Sequence, residues 1–210
     1  MAQPMSEADH EISRRELIAS SAFVPLAALT CSSAAHAQTP AAHATETALS
    51  PAQMKILEAV VDRLIPRDEL GPSAAEAGAP IYIDRALTGP NAGEKQTFVD
   101  GLAALDAFAN SSQGASFTDL SPERRDAVLT AMDNGTATGF ANSQQFFNRV
   151  RRLTLEGMFG DPFYGGNRNF AGWDLLRYPG PRLVVGPEEQ RMDKLPEPYR
   201  RSAYGPQYGH

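Results

Sequence analysis

Cysteine and histidine are nearly missing from this 210-residue chain. It has one cysteine, Cys31, and four histidines, His10, His36, His43 and His210. A lone cysteine closes no disulfide within the chain and builds no multi-cysteine metal site. None of the histidines falls in the stretch that reads as folded, which excludes most imidazole and metal-site chemistry there. Positive charge is in short supply as well: 19 basic residues face 25 acidic ones, for a net charge of -6. A protein built to neutralise phosphates needs the opposite balance, so no nucleic-acid partner is expected. There is no Cys-x-x-Cys-His for a haem, no Gly-x-Gly-x-x-Gly after a strand and no P-loop. Gly165-Gly166 is a tight turn and not a phosphate cradle, because no Lys-Ser/Thr pair follows it.

What is present begins with a targeting pattern. Ser13-Arg14-Arg15-Glu16-Leu17-Ile18 leads into an apolar run from Leu17 to Leu29. That run falls well short of the roughly 20 residues a bilayer span requires. Ala35-His36-Ala37 then fits a small-x-small cleavage site, with the cut expected before Gln38. Paired arginines ahead of a mildly apolar, Ala/Ser-rich segment resemble a twin-arginine signal, with Arg14 and Arg15 as the export address. The other reading is a general secretory signal with a chance Arg pair, although Ser20, Ser21, Pro25 and Thr30 dilute its apolar region. Cleavage after Ala37 leaves 173 residues with 17 basic and 21 acidic side chains and no cysteine. Residues 38–49 show no periodicity and read as a flexible lead-in.

The remainder reads as all-α. Ser50-Pro51-Ala52-Gln53 is a capping box with proline at the first helical position. The apolar stripe Ile56, Leu57, Val60, Val61, Leu64 and Ile65 follows, and Pro66 ends it. A brief helix around Ile81, Ile83 and Leu87 stops at Gly89-Pro90. Further helices are expected from about Glu94 to Asn110, from Ser121-Pro122 to about Asn134, and from about Ser143 to Phe159. Phe170, Trp173 and Leu176 suggest one short amphipathic turn. No alternating β-branched run suggests a strand. The predicted organisation is a signal at 1–37, a linker at 38–49, a small irregular helical domain at 50–180 and an extended tail at 181–210. That tail holds Pro181, Pro187, Pro196, Pro198 and Pro206 with Tyr199, Tyr204 and Tyr208. Without an apolar period it cannot build its own core, so it is either disordered or an arm laid on another protein.

Charge pairs offer little chemistry. Asp62 with Arg63 and Arg152 with Glu156 read as ion pairs on helix surfaces. Arg149, Arg151 and Arg152 spread around one helix and form no single basic face. Phe163, Tyr164 and Trp173 either close the helical core or anchor a partner, as buried aromatics do at interfaces.

A longer pattern connects these pieces. Leu64-Ile65-Pro66, Glu76-Ala77-Gly78 and Phe146-Phe147-x-x-Val150-Arg151 are followed by Thr154-x-Glu156-Gly157-x-Phe159-Gly160-Asp161-Pro162-x-Tyr164-Gly165-Gly166-Asn167, Gly172-Trp173 and Tyr178-Pro179-Gly180. In that order they resemble the gluconate 2-dehydrogenase subunit 3 family, the small subunit of membrane-associated sugar and sugar-acid dehydrogenases. The resemblance covers roughly Ser50 to Pro181, and the Pro/Tyr-rich tail departs from it. It implies a complex with an FAD-dependent catalytic subunit and a multihaem cytochrome c subunit, while the small subunit itself holds no cofactor. It also implies a periplasmic location, with the small subunit providing the twin-arginine translocase with an address for a partner that lacks one. Phe163, Tyr164, Trp173 and Tyr178 are then the expected partner-facing residues. An independent periplasmic binding module and a secreted hydrolase using Ser or Asp/Glu stay open as other classes.

Overall fold

The capping box forms as the sequence predicts. The Ser50 side chain accepts from the Gln53 amide at 3.3 Å, and the Gln53 side chain accepts from the Ser50 amide at 2.8 Å. These bonds start α1 (Pro51–Leu64), whose buried face is Leu57, Val60 and Val61. Ile65 leaves the helix with φ -137° and ψ 88°, as steric conflict with the following proline requires. The computed structural model describes residues 47–205. Arg14, Arg15, the expected cleavage site and most of the lead-in lie outside those residues.

The packed domain starts slightly earlier than the capping box. Ala48 and Leu49 are buried, and the Leu49 amide donates to the carboxylate of Asp84 at 2.9 Å. The end of the predicted linker is therefore part of the core. Asp84 is itself buried, and this charge-assisted bond gives it a partner.

Five further helices follow: α2 (Ala79–Thr88), α3 (Lys95–Gln113), α4 (Pro122–Asp133), α5 (Ser143–Phe159) and α6 (Ala171–Leu175). There is no strand among the described residues. Helix α1 packs on α2, α3, α4 and α5, so its apolar stripe forms the centre of the core. Around it Ile83 and Leu87, Leu102 and Leu105, Val128 and Met132, and Leu153 and Met158 are almost fully enclosed. Each such side chain contributes about 1.5–3 kcal/mol of burial. Phe117 is fully buried on a 3-10 turn between α3 and α4. The Asp106 carboxylate holds that turn, accepting from Ser116 Oγ at 2.7 Å and from the Phe117 amide at 2.8 Å.

The closest helix pairing is α2 against α5. Gly157 makes it possible, because a Cβ there would lie 2.9 Å from Ala79 Cα. Across the same seam the Tyr82 hydroxyl donates to Glu156 at 2.9 Å. Burial, and then this carboxylate, push the Tyr82 phenol up to about 12.

Two charge expectations come out differently. Arg152 does pair with Glu156, at 3.6 Å. Arg63 instead reaches from α1 to α4 and grips Asp126 with two bonds of 2.8 and 2.7 Å. Neighbours in sequence do not face each other on a helix, so Asp62 could not have been its partner. Of the three clustered arginines, Arg149 pairs with Glu94, Arg151 lies over the Phe147 ring and Arg152 holds Glu156. No helix among the described residues is long and apolar enough to cross a membrane.

The tail is neither free nor pointing away. Pro181 to Gly205 leaves the domain, turns through a 3-10 segment at Pro187–Gln190 and comes back. The Tyr199 amide donates to the Pro179 carbonyl at 2.9 Å, and Arg200 grips Asp174 at 3.1 and 2.7 Å. The Ala203 amide donates to Asp161 at 2.8 Å. The expected extended arm is thus a loop whose end is bound to its own domain. Backbone and carboxylate bonds hold it where an apolar period is missing.

Candidate functional site

The segment after α5 is shaped by backbone that few residues tolerate. Asn167, Asn169, Phe170 and Arg177 all have positive φ, between 46° and 62°. Asparagine enters this region readily; phenylalanine there is strained. Asn167 fixes the arrangement. It is fully buried, its amide donates to the Gly157 carbonyl at 2.8 Å, and its side chain bridges the Gly160 carbonyl and the Gly172 amide at 2.8 Å each. Gly166 next to it lies so near the end of α5 that a Cβ would fall 2.0 Å from the Gly157 carbonyl oxygen. The two asparagine bonds and this approach lock residues 160–172 onto the helix end.

That lock presents a set of aromatic rings. Trp173 on α6 is 7% exposed, donates its indole N–H to the Phe159 carbonyl at 3.0 Å, and lies between Phe170 and Tyr178. It is buried within its own domain. Phe163, Tyr164 and Tyr178 are 47%, 45% and 40% exposed. Phe163 and Tyr164 meet edge to face with centroids 5.4 Å apart, and Tyr204 of the returning tail touches both, tilted on Phe163 and edge to face with Tyr164. A hydrogen bond with Tyr204 is the main cause that raises the Tyr164 phenol above its ordinary value. The structure therefore brings the four candidate residues to one end of the domain, three as surface and one as its support. Tyr204 and Asn167 were missed by sequence reasoning. The Gly-Gly-Asn run was the available signal for the second.

Elsewhere, a cleft of about 500 Å³ opens beside α3 and α5, lined by Phe98, Gly101, Phe140, Phe146 and Arg149. Its cation is already paired with Glu94. Among the described residues no three His, Cys, Asp or Glu side chains are grouped to hold a metal ion.

The locked segment, the seam of α2 with α5 and every ring of the cluster except Tyr204 lie within one stretch of sequence. The profile of the gluconate 2-dehydrogenase subunit 3 family matches residues 51–180, most of the chain. The chain belongs to that family. The name makes its members subunits of a dehydrogenase assembly, and the match begins at the first residue of α1. It stops at Gly180, where the returning tail begins. Comparison with curated proteins and with solved structures finds no significant match.

Proposed function

We propose that this chain is the non-catalytic small subunit of a periplasmic, membrane-associated, FAD-dependent sugar or sugar-acid dehydrogenase. In this reading it assists maturation of the catalytic subunit, stabilises the assembly and provides the twin-arginine address at Arg14 and Arg15. The observation that carries it is the family match across the whole of α1 to α6. The exposed Phe163, Tyr164 and Tyr178 rings support it further. Exposed aromatics on rigid backbone suit an interface, because little side-chain freedom is lost on binding. The flavin and the haem c belong to the partner chains, the catalytic subunit and the cytochrome. This chain's own residues bind and position a protein.

The test is purification of the tagged chain from its source cells. The expected eluate contains a larger flavoprotein in stoichiometric amount with dye-linked sugar or sugar-acid dehydrogenase activity. The same chain produced alone is expected to show neither flavin nor haem absorbance. Stoichiometric flavin in the isolated chain, or an eluate with no dehydrogenase, overturns the reading.

A further inference from the structure

Arg177 stands where the fold asks for glycine. Helix α6 ends at Leu176 in a left-handed cap closed by two backbone bonds. The Tyr178 amide donates to the Trp173 carbonyl at 2.8 Å, and the Arg177 amide donates to the Asp174 carbonyl at 3.0 Å. The residue after such a cap has positive φ and is usually glycine, because a Cβ is penalised there. Helix α4 ends in the same motif and follows that rule. Its Thr136 amide donates to Ala131 at 2.9 Å, its Gly135 amide donates to Met132 at 3.1 Å, and Gly135 has φ 72°. At α6 the equivalent residue is Arg177, with φ 52°.

Nothing within the chain offsets that strain. Arg177 is exposed, and its guanidinium has no hydrogen-bond, ionic or aromatic partner among the described residues. Asp174, in the preceding turn, is already gripped by Arg200 through two bonds. Strained residues of this kind persist at sites that hold a ligand or partner, where the side chain matters more than the backbone it sits on. The setting of Arg177 fits such a use. The next residue, Tyr178, is 40% exposed, and its ring packs on the buried Trp173 with centroids 4.9 Å apart. The guanidinium is therefore carried on fixed backbone directly beside an exposed ring, and both residues lie within the family match.

We propose that Arg177 anchors a carboxylate on the dehydrogenase subunit that the chain accompanies, with the Tyr178 ring packed beside that contact. The proposal rests on the small-subunit reading above and names the chemistry its partner presents at this face. A planar guanidinium fork matches a carboxylate with two parallel bonds, and arginine and tyrosine are the side chains that most often dominate interface energies. A phosphate-rich surface suits the site less well, because the chain as a whole carries a net charge of -6.

The experiment compares the tagged full chain, purified from its source cells with its partner, with Arg177→Gly, Arg177→Glu and a control, Lys55→Glu. Lys55 is an exposed cation on α1. Arg177→Gly is expected to raise the melting temperature of the chain produced alone by about 2–4 °C, since glycine adopts the cap without strain. The same variant is expected to lower copurified flavin and dye-linked activity about tenfold. A loss of partner in a chain that has become more stable cannot come from misfolding. Arg177→Glu keeps the strain and reverses the charge, so it is expected to lose at least as much partner at a melting temperature close to that of wild type. Lys55→Glu is expected to retain both partner and stability. Copurification of the two Arg177 variants at the wild-type level overturns the anchor and leaves the small-subunit reading standing. An unchanged or lowered melting temperature for Arg177→Gly shows that the arginine serves its own fold and overturns the anchor, as does an equal loss of partner in Lys55→Glu. A wild-type eluate without dehydrogenase overturns the small-subunit reading itself. A free chain that is dimeric by light scattering and becomes monomeric on Arg177→Glu assigns the residue to self-contact and also overturns the proposal.

Discussion

Asn167 does the work of several residues at the end of α5. Its left-handed backbone suits asparagine and penalises alanine by about 1–2 kcal/mol. Its side chain satisfies one carbonyl and one amide in a place with little water, Gly160 and Gly172. Asn167→Ala is expected to lower unfolding free energy by about 3 kcal/mol, because both groups lose their partner. Denaturant unfolding with an unchanged m-value checks this; a loss below about 1 kcal/mol would show that residues 160–172 are held by something else. Its role was only half legible beforehand. Gly165-Gly166-Asn167 announces a turn, but which carbonyl the asparagine meets depends on where α5 ends. Trp173 shows the same limit: its spacing from Phe170 and Leu176 predicts a buried ring as readily as an anchoring one. In the folded domain the ring is buried.

The seam between α2 and α5 decides how the helices meet. An alanine at Gly157 would gain about 1 kcal/mol of helix propensity and lose more through contact with Ala79. Gly157→Ala is expected to be destabilising by about 1–2 kcal/mol net. At Gly93 an added Cβ meets nothing within 4 Å, and Gly93→Ala is expected to stay within about 0.5 kcal/mol of wild type. Thermal melts of the two variants check the contrast. Equal stabilities would show that the seam tolerates a methyl group. The same seam gives an alkaline signature. The Tyr82 phenol titrates higher in the folded chain than unfolded, so its contribution is fully present below about pH 10 and is lost as pH rises towards 12. Stability curves of wild type and Tyr82→Phe should run parallel near neutrality and converge over that window. A constant gap up to pH 12 would contradict the assignment.

Most of this scale was legible in the sequence. The spacing of three and four in α1 and α5, with Ser50 and Pro66 as punctuation for α1, predicts those helices almost to the residue. Helix α3 runs three residues past its expected end, to Gly114 in the left-handed conformation. The long-range pairings were not legible. Arg63 finds Asp126 across 63 positions, and the Asp84 that receives Leu49 lies 35 positions away. No local pattern encodes such a distance.

Across the whole molecule, the division is between a packed domain that the family shares and two extensions that it does not match. The domain from α1 to α6 presents Phe163, Tyr164 and Tyr178 at one end, and the tail returns to that same end through Asp161 and Asp174. The composition pointed to a tail without a core, and none forms among its described residues; what it could not reveal was that carboxylates on the domain would hold the tail in place. The proposed role joins this end to the other extension, the Arg14-Arg15 address. In that proposed role, a cofactor-loaded partner without a signal of its own would cross the membrane folded and bound to this chain. Lysine at both positions keeps the charge and removes the guanidinium fork that the export receptor would read. The most direct measurement is therefore fractionation of cells carrying Arg14→Lys/Arg15→Lys, with the catalytic subunit followed by immunoblot and by dye-linked activity. The account predicts that both subunits remain in the cytoplasm; a catalytic subunit reaching the periplasm in its normal amount would contradict it.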